Sequence, residues 1–215
     1  MSARNLLGLQ EAKDMSKVDE VRWGIIGCGD VTEVKSGPGL QQAEGSSLVA
    51  VMRRTPGQAE DYAKRHGVGK WYESAEELIN DGEVNAIYVA TPPGWHKEYV
   101  LMACAAGKPA YVEKPMARNY AECEEMVDAF SKAELGLYVA YYRRGWERFG
   151  RAKEIVESGR LGRITGVRCE YASDLSLKID PANRPWRVRA VESGGGLFMD
   201  LGSHTLDILD KGLST

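Results

Sequence analysis

The chain has 215 residues, 43% of them hydrophobic and 27% charged, and its 28 basic and 31 acidic side chains leave a net charge of −3. That is enough apolar material to bury a core, and the near-balanced charge gives no electrostatic basis for binding nucleic acid or an anionic membrane. The longest apolar runs are strand-sized, too short to cross a bilayer as a helix.

Residues 1–19 mix polar and apolar side chains without a signal-peptide layout, and Met15 offers an alternative start, so this stretch is expected to be a disordered leader. From Val21 to Tyr142, apolar runs alternate with helix-length amphipathic stretches. Strands are predicted at 21–27, 48–53, 86–91, 110–113 and 137–142, with Lys70-Trp71-Tyr72 as a short additional one. Helices are predicted at 31–43, 56–66, 74–80, 95–106, 119–134 and 147–158. Strands separated by helices imply an α/β class with a doubly wound parallel sheet over residues 20–142.

The first strand runs into Gly27-Cys28-Gly29. Gly27 suits a tight strand-to-helix turn, and Gly29 lets the backbone approach a pyrophosphate that a Cβ would block. The helix start at Asp30 and Val31 then offers amides and a positive dipole end to phosphate. Thr32 stands where a third small residue is usual, so slightly looser helix–strand packing is expected. At the second strand's end, where an acid would select NAD, the chain has Arg53-Arg54-Thr55. Arginines there suit a 2′-phosphate, which predicts NADP over NAD; as a solvated pair they would leave the preference open.

Thr91-Pro92-Pro93 ends the predicted strand at 86–91, with His96 placed to cap the next helix or touch the cofactor. Glu113-Lys114-Pro115 comes at the end of the predicted strand at 110–113, at the sheet edge where ligands bind in such folds. Lys114 is a candidate for polarising a substrate oxygen beside the nicotinamide. His66, before Gly67, is explained by a contact with a helix C-terminus.

Beyond Tyr142 a helix and a glycine turn precede a long predicted strand from Arg163 to about Leu175. Arg184-Pro185-Trp186-Arg187 suits either a substrate pocket or a surface loop. Gly194-Gly195-Gly196 leads into a last helix at about 197–211, where Asp200 and His204 stand four residues apart on one face. His204 is the candidate acid/base and Asp200 its support and a substrate contact. A lone strand cannot close a second sheet, so residues 143–215 read as the start of an incomplete C-terminal α/β domain with an exposed apolar surface. Cys28, Cys104, Cys123 and Cys169 lie far apart with no metal-type spacing to the three histidines, which predicts reduced thiols, a cytoplasmic protein and no metal site.

In ordered combination, 27–31, 90–96, 106–109, 113–115 and 194–207 resemble the glucose–fructose oxidoreductase, inositol dehydrogenase and rhizopine catabolism (Gfo/Idh/MocA) family over residues 21–212. The resemblance implies an N-terminal Rossmann domain and a C-terminal α/β domain whose open sheet commonly forms a homo-oligomer interface. It also implies NAD(P)-dependent oxidoreduction of a sugar, polyol or related alcohol, with Lys114 touching substrate and Asp200 and His204 completing the site. The alternatives are a redox-neutral, glycosidase-like member, and a non-catalytic dinucleotide-binding regulator or inactive fragment. Two departures stand out: Thr32 in the turn, and the lack of most of the family's C-terminal sheet.

Overall fold

The computed structural model describes residues 19–171 and 185–213, so the expected leader lies outside the described residues except for its last position. The chain divides into two compact units, Met1–Val139 and Ala140–Thr215.

The first unit is built on a six-stranded sheet in the order β3-β2-β1-β4-β5-β6, with every pairing parallel. The strands are β1 (Val21–Ile26), β2 (Ser46–Met52), β3 (Lys70–Tyr72), β4 (Ala86–Val89), β5 (Ala110–Val112) and β6 (Leu137–Val139). All six expected strands form, most of them a residue or more shorter at the carboxyl end, where the backbone turns away into site loops. The helices are α1 (Gly37–Gln42), α2 (Gln58–His66), α3 (Ala75–Asn80), α4 (His96–Ala105) and α5 (Tyr120–Lys132).

Alternation along the strands sorts the core onto the two sheet faces. Ile26, Met52, Ile87, Val89 and Val112 pack with Leu78 of α3, Val100 of α4, and Met126 and Phe130 of α5. Ile25, Val51 and Tyr88 point the other way and pack with Ala59, Tyr62 and Ala63 of α2. Each of these side chains is at most 3% exposed, so the sheet is buried on both sides through its centre. Local signals set the helix ends: Asn119 caps α5 by accepting from the Glu122 amide at 3.0 Å, and Gly67 ends α2 in the left-handed region at φ +67°.

The second unit is helical in its described residues. It comprises a 3₁₀ turn (Tyr142–Gly145), α6 (Glu147–Glu157), a 3₁₀ turn (Trp186–Val188), α7 (Ala190–Ser193), a π-helical turn (Phe198–Gly202) and α8 (Ser203–Leu213). α6 packs on α8, and Lys153 Nζ donates to the Lys211 carbonyl at 3.0 Å. The strand expected from Arg163 is not formed: 163–171 are neither strand nor helix, and each residue there is exposed. A strand exists only against a partner ladder, and no described segment pairs with this one; the expected continuation to Leu175 lies outside the described residues.

Candidate functional site

In a parallel sheet all carboxyl ends share one edge, so the segments after β1, β2, β4 and β5 are brought together there. Gly27 opens the first at φ +90°, and a Cβ on it would stand 2.6 Å from Thr91 Cγ2 and 3.1 Å from the Thr91 amide. It therefore serves both the turn and the close approach of the β1 and β4 loops. Gly29 fits the expected role differently: a Cβ there would lie 3.2 Å from Arg53 Nη1. Arg53 donates from that nitrogen to the Cys28 carbonyl at 3.0 Å, so its guanidinium spans from the end of β2 to the glycine turn. It is not simply solvated.

Thr32 corrects the expectation of looser packing. It is fully buried, its hydroxyl accepts from the Gly29 amide and donates to the Gly29 carbonyl, both at 2.8 Å, and Tyr62 Oη donates to the Thr32 carbonyl at 2.9 Å. The larger side chain is accommodated by a π-helical turn at Thr32–Ser36 leading into α1. The hydroxyl takes up the Gly29 amide, and the amides of Asp30 and Val31 then head the helix with no intrahelical acceptor, as at any helix start. The Asp30 side chain is exposed.

Behind the turn, Glu33 accepts from both terminal nitrogens of Arg65 at 2.8 and 2.7 Å and lies 2.6 Å from His66 Nε2. The Arg65 hydrogen bonds hold the Glu33 carboxyl down to about 2. This fixes the turn to α2 and gives His66 a carboxylate partner that the helix-end reading missed. Burial pushes the Cys28 thiol up to about 11.

Thr91 and Pro92 follow β4, and the Thr91 hydroxyl oxygen is buried with no hydrogen-bond partner among the described residues. His96 corrects another expectation. Its ring is fully buried, with Nε2 2.7 Å from the Thr91 carbonyl and Nδ1 3.1 and 3.3 Å from the carbonyls of Pro115 and Met116. A ring with no exposed surface touches no ligand; it sits between the β4 loop and the β5 loop, and the one N–H of the neutral ring donates to a carbonyl of one of them. Burial lowers its pKa against the opposing pull of those carbonyls, favouring the neutral ring. In the β5 loop Glu113 accepts from Tyr88 Oη at 2.6 Å and from the Lys114 amide at 3.2 Å, and Lys114 is half-buried.

In the second unit His204 is 2% exposed, with the rings of Tyr141 and Tyr142 edge-on to it at 5.9 and 5.0 Å. Asp200 lies in the π-helical turn and accepts from Arg187 Nε at 3.2 Å. Buried Asp207 accepts from Arg144 Nε at 2.7 Å. Tyr141, Tyr142, Arg144, Arg187 and Asp207 were missed as neighbours of the expected pair; the arginine–aspartate partners are 13 and 63 residues apart, spacings that no local pattern marks. Among the described residues no group of three or more His, Cys, Asp or Glu is placed to hold a metal, and no helix is long and apolar enough to cross a membrane.

A glycine-lined approach, a helix start, an arginine at the turn and an orphaned threonine hydroxyl together fit a phosphate-linked dinucleotide. The first unit is thus a doubly wound, dinucleotide-type Rossmann domain. Residues 21–141 match the family described as "Oxidoreductase family, NAD-binding Rossmann fold", and residues 149–213 match the GFO/IDH/MocA C-terminal domain. The chain belongs to this Gfo/Idh/MocA oxidoreductase family.

It is 40% identical over 190 residues to oxidoreductase P35 of Formosa agariphila, covering 88% of this chain and 59% of that one. It is 32% identical over 188 residues to the 1,5-anhydro-D-fructose reductase of Ensifer adhaerens, covering 87% of this chain and 55% of that one. Among solved structures, an aldose–aldose oxidoreductase from Caulobacter crescentus complexed with glycerol matches with a TM-score of 0.75 and 28% identity, over 89% of this chain and 57% of that one. The chain thus spans little more than half the length of the relatives it matches.

Proposed function

We propose that the chain is the dinucleotide-binding part, with the first elements of the substrate part, of an NADP-preferring dehydrogenase or reductase acting on a sugar, polyol or related secondary alcohol. The observation that carries the cofactor preference is Arg53, which reaches from the end of β2 to the glycine turn where an NAD-selecting fold places an acid. Arg53 and Arg54 together would meet a 2′-phosphate with charge-assisted bonds. Thr91, Pro92 and the amides of Asp30 and Val31 complete the cradle. The relatives named for sugar substrates support the substrate class.

A nicotinamide bound there would supply or accept the hydride. Lys114 donates a hydrogen bond to the substrate oxygen and stabilises charge developing on it. His204 takes the hydroxyl proton during oxidation and returns it during reduction, with Asp200, braced by Arg187, in support. Glu113 acts on the Lys114 backbone, and His96 acts through the loops it sits between. The full-length form is proposed to be a cytoplasmic homo-oligomer, with residues 143–215 beginning the substrate and oligomerisation domain.

Side-by-side titration of the purified chain with NADPH and NADH tests the reading. NADPH should bind more tightly, and Arg53→Ala should weaken NADPH about tenfold or more, the loss of a hydrogen-bonded charge pair, while sparing NADH. Equal affinities, unmoved by Arg53→Ala, would remove the 2′-phosphate assignment. In a full-length form, His204→Ala should abolish turnover and leave NADPH affinity intact.

A further inference from the structure

Trp95 sits in the loop after β4, at the end of the 3₁₀ turn Pro93–Trp95. Its ring lies parallel within 26° to that of buried Tyr99, with centroids 6.4 Å apart, and it packs against the core cluster of that face. The guanidinium of Arg54 lies 4.2 Å from the centroid of the Trp95 ring. Arg54 itself is exposed and follows β2. Because β1 lies between β2 and β4 in the sheet, the pair reaches across the glycine turn.

The end of β2 is the adenosine side of a dinucleotide crevice, since the residue there meets the ribose 2′ position. A planar cation resting on a half-buried indole that also packs against the core marks a flat π-surface beneath an exposed arginine side chain. We propose that Trp95 is the adenine shelf of the site: the base stacks on its ring, and Arg54 lifts to lie on the base's outer face with its edge still toward the 2′-phosphate that Arg53 meets. The proposal rests on the dinucleotide reading and adds Trp95 as an affinity-determining residue that serves both cofactors. The indole reads an aromatic face, so it contributes to NADH as much as to NADPH.

The test is calorimetric titration of the purified chain with NADPH, NADH and 2′,5′-ADP, the last carrying adenine without nicotinamide. Trp95→Leu should weaken all three by a similar factor, about tenfold, as expected for loss of one base–aromatic stack. Trp95→Phe should retain most of the affinity while losing part of the tryptophan fluorescence quenching that 2′,5′-ADP produces in the parent. Arg54→Leu, a surface change that leaves the core untouched, should weaken NADH as well as NADPH, whereas Arg53→Ala should spare NADH. If 2′,5′-ADP binds Trp95→Leu as tightly as the parent, or Trp95→Phe quenches like the parent, the shelf is wrong although the dinucleotide site stands. If the parent binds neither dinucleotide, both readings fall. If Trp95→Leu does not fold, Arg54→Leu and Trp95→Phe decide alone.

Discussion

Gly27 and Thr32 show how single residues set the glycine turn. At Gly27 any Cβ meets both an unfavourable φ and the Thr91 side chain, so Gly27→Ala should lower stability by about 2–4 kcal/mol, read by denaturant unfolding of the purified chain. A cost below about 1 kcal/mol would mean that the β1 and β4 loops part easily and are not held as described. Thr32→Val keeps the volume and removes the hydroxyl, depriving the half-buried Gly29 amide of its partner, and should cost about 1 kcal/mol. The sequence marks Gly27 because strand-to-helix glycines are patterned. It marks Thr32 only as a bulky exception, because the hydroxyl's value depends on where the Gly29 backbone points. Trp95 is silent for a related reason: its partner Arg54 arrives from another loop.

Among the elements, the helical start after the glycine turn is tied to α2 by Glu33, and the end of α3 is tied to β3 by Asp81. The Asp81 carboxylate accepts from Lys70 at 2.8 Å and from Tyr72 at 2.6 Å, which holds it at about 2. A carboxylate with a depressed pKa contributes stability that is complete above its unfolded value and is lost as pH falls toward the folded one. The Glu33 and Asp81 contributions should therefore persist down to about pH 4.5 and vanish toward about pH 2. His96, buried neutral with a lowered pKa, adds an earlier loss that begins as pH drops below the ordinary histidine value of 6.5. Thermal melting against pH should thus decline in two stages. Glu33→Gln should flatten the acid stage alone, and an unchanged acid stage would show that the Glu33–Arg65 link does not hold the turn. The strands were legible as short apolar runs, as a sheet buried on both faces requires, and the helices as amphipathic stretches of helical length between them. The ion pairs were not, because they join elements distant in sequence.

For the molecule as a whole, the chain divides at Val139/Ala140. The second unit was less legible: its glycines, Asp200 and His204 stand out as a motif, but the strand read from residue 163 depends on a partner ladder that no local pattern reveals. Arg160, Arg163 and Arg168 are exposed in a stretch with neither helix nor strand, so brief trypsin treatment should cut there first and leave the sheet unit whole, as mass spectrometry of the fragments would show. First cuts at Arg65 or Lys108 would mean that the sheet unit opens more readily than the exposed stretch.

The position of His96 between two loops has a consequence for how the site can diversify. The atoms its ring nitrogens face, in Thr91, Pro115 and Met116, are all main-chain carbonyl oxygens. A contact that reads backbone and no side chain leaves the identity of its neighbours open. Residues around the β4 and β5 loops can therefore be exchanged to suit a different substrate while the spacing between the loops is inherited unchanged. One buried imidazole thus leaves the side chains on both sides of it open to change.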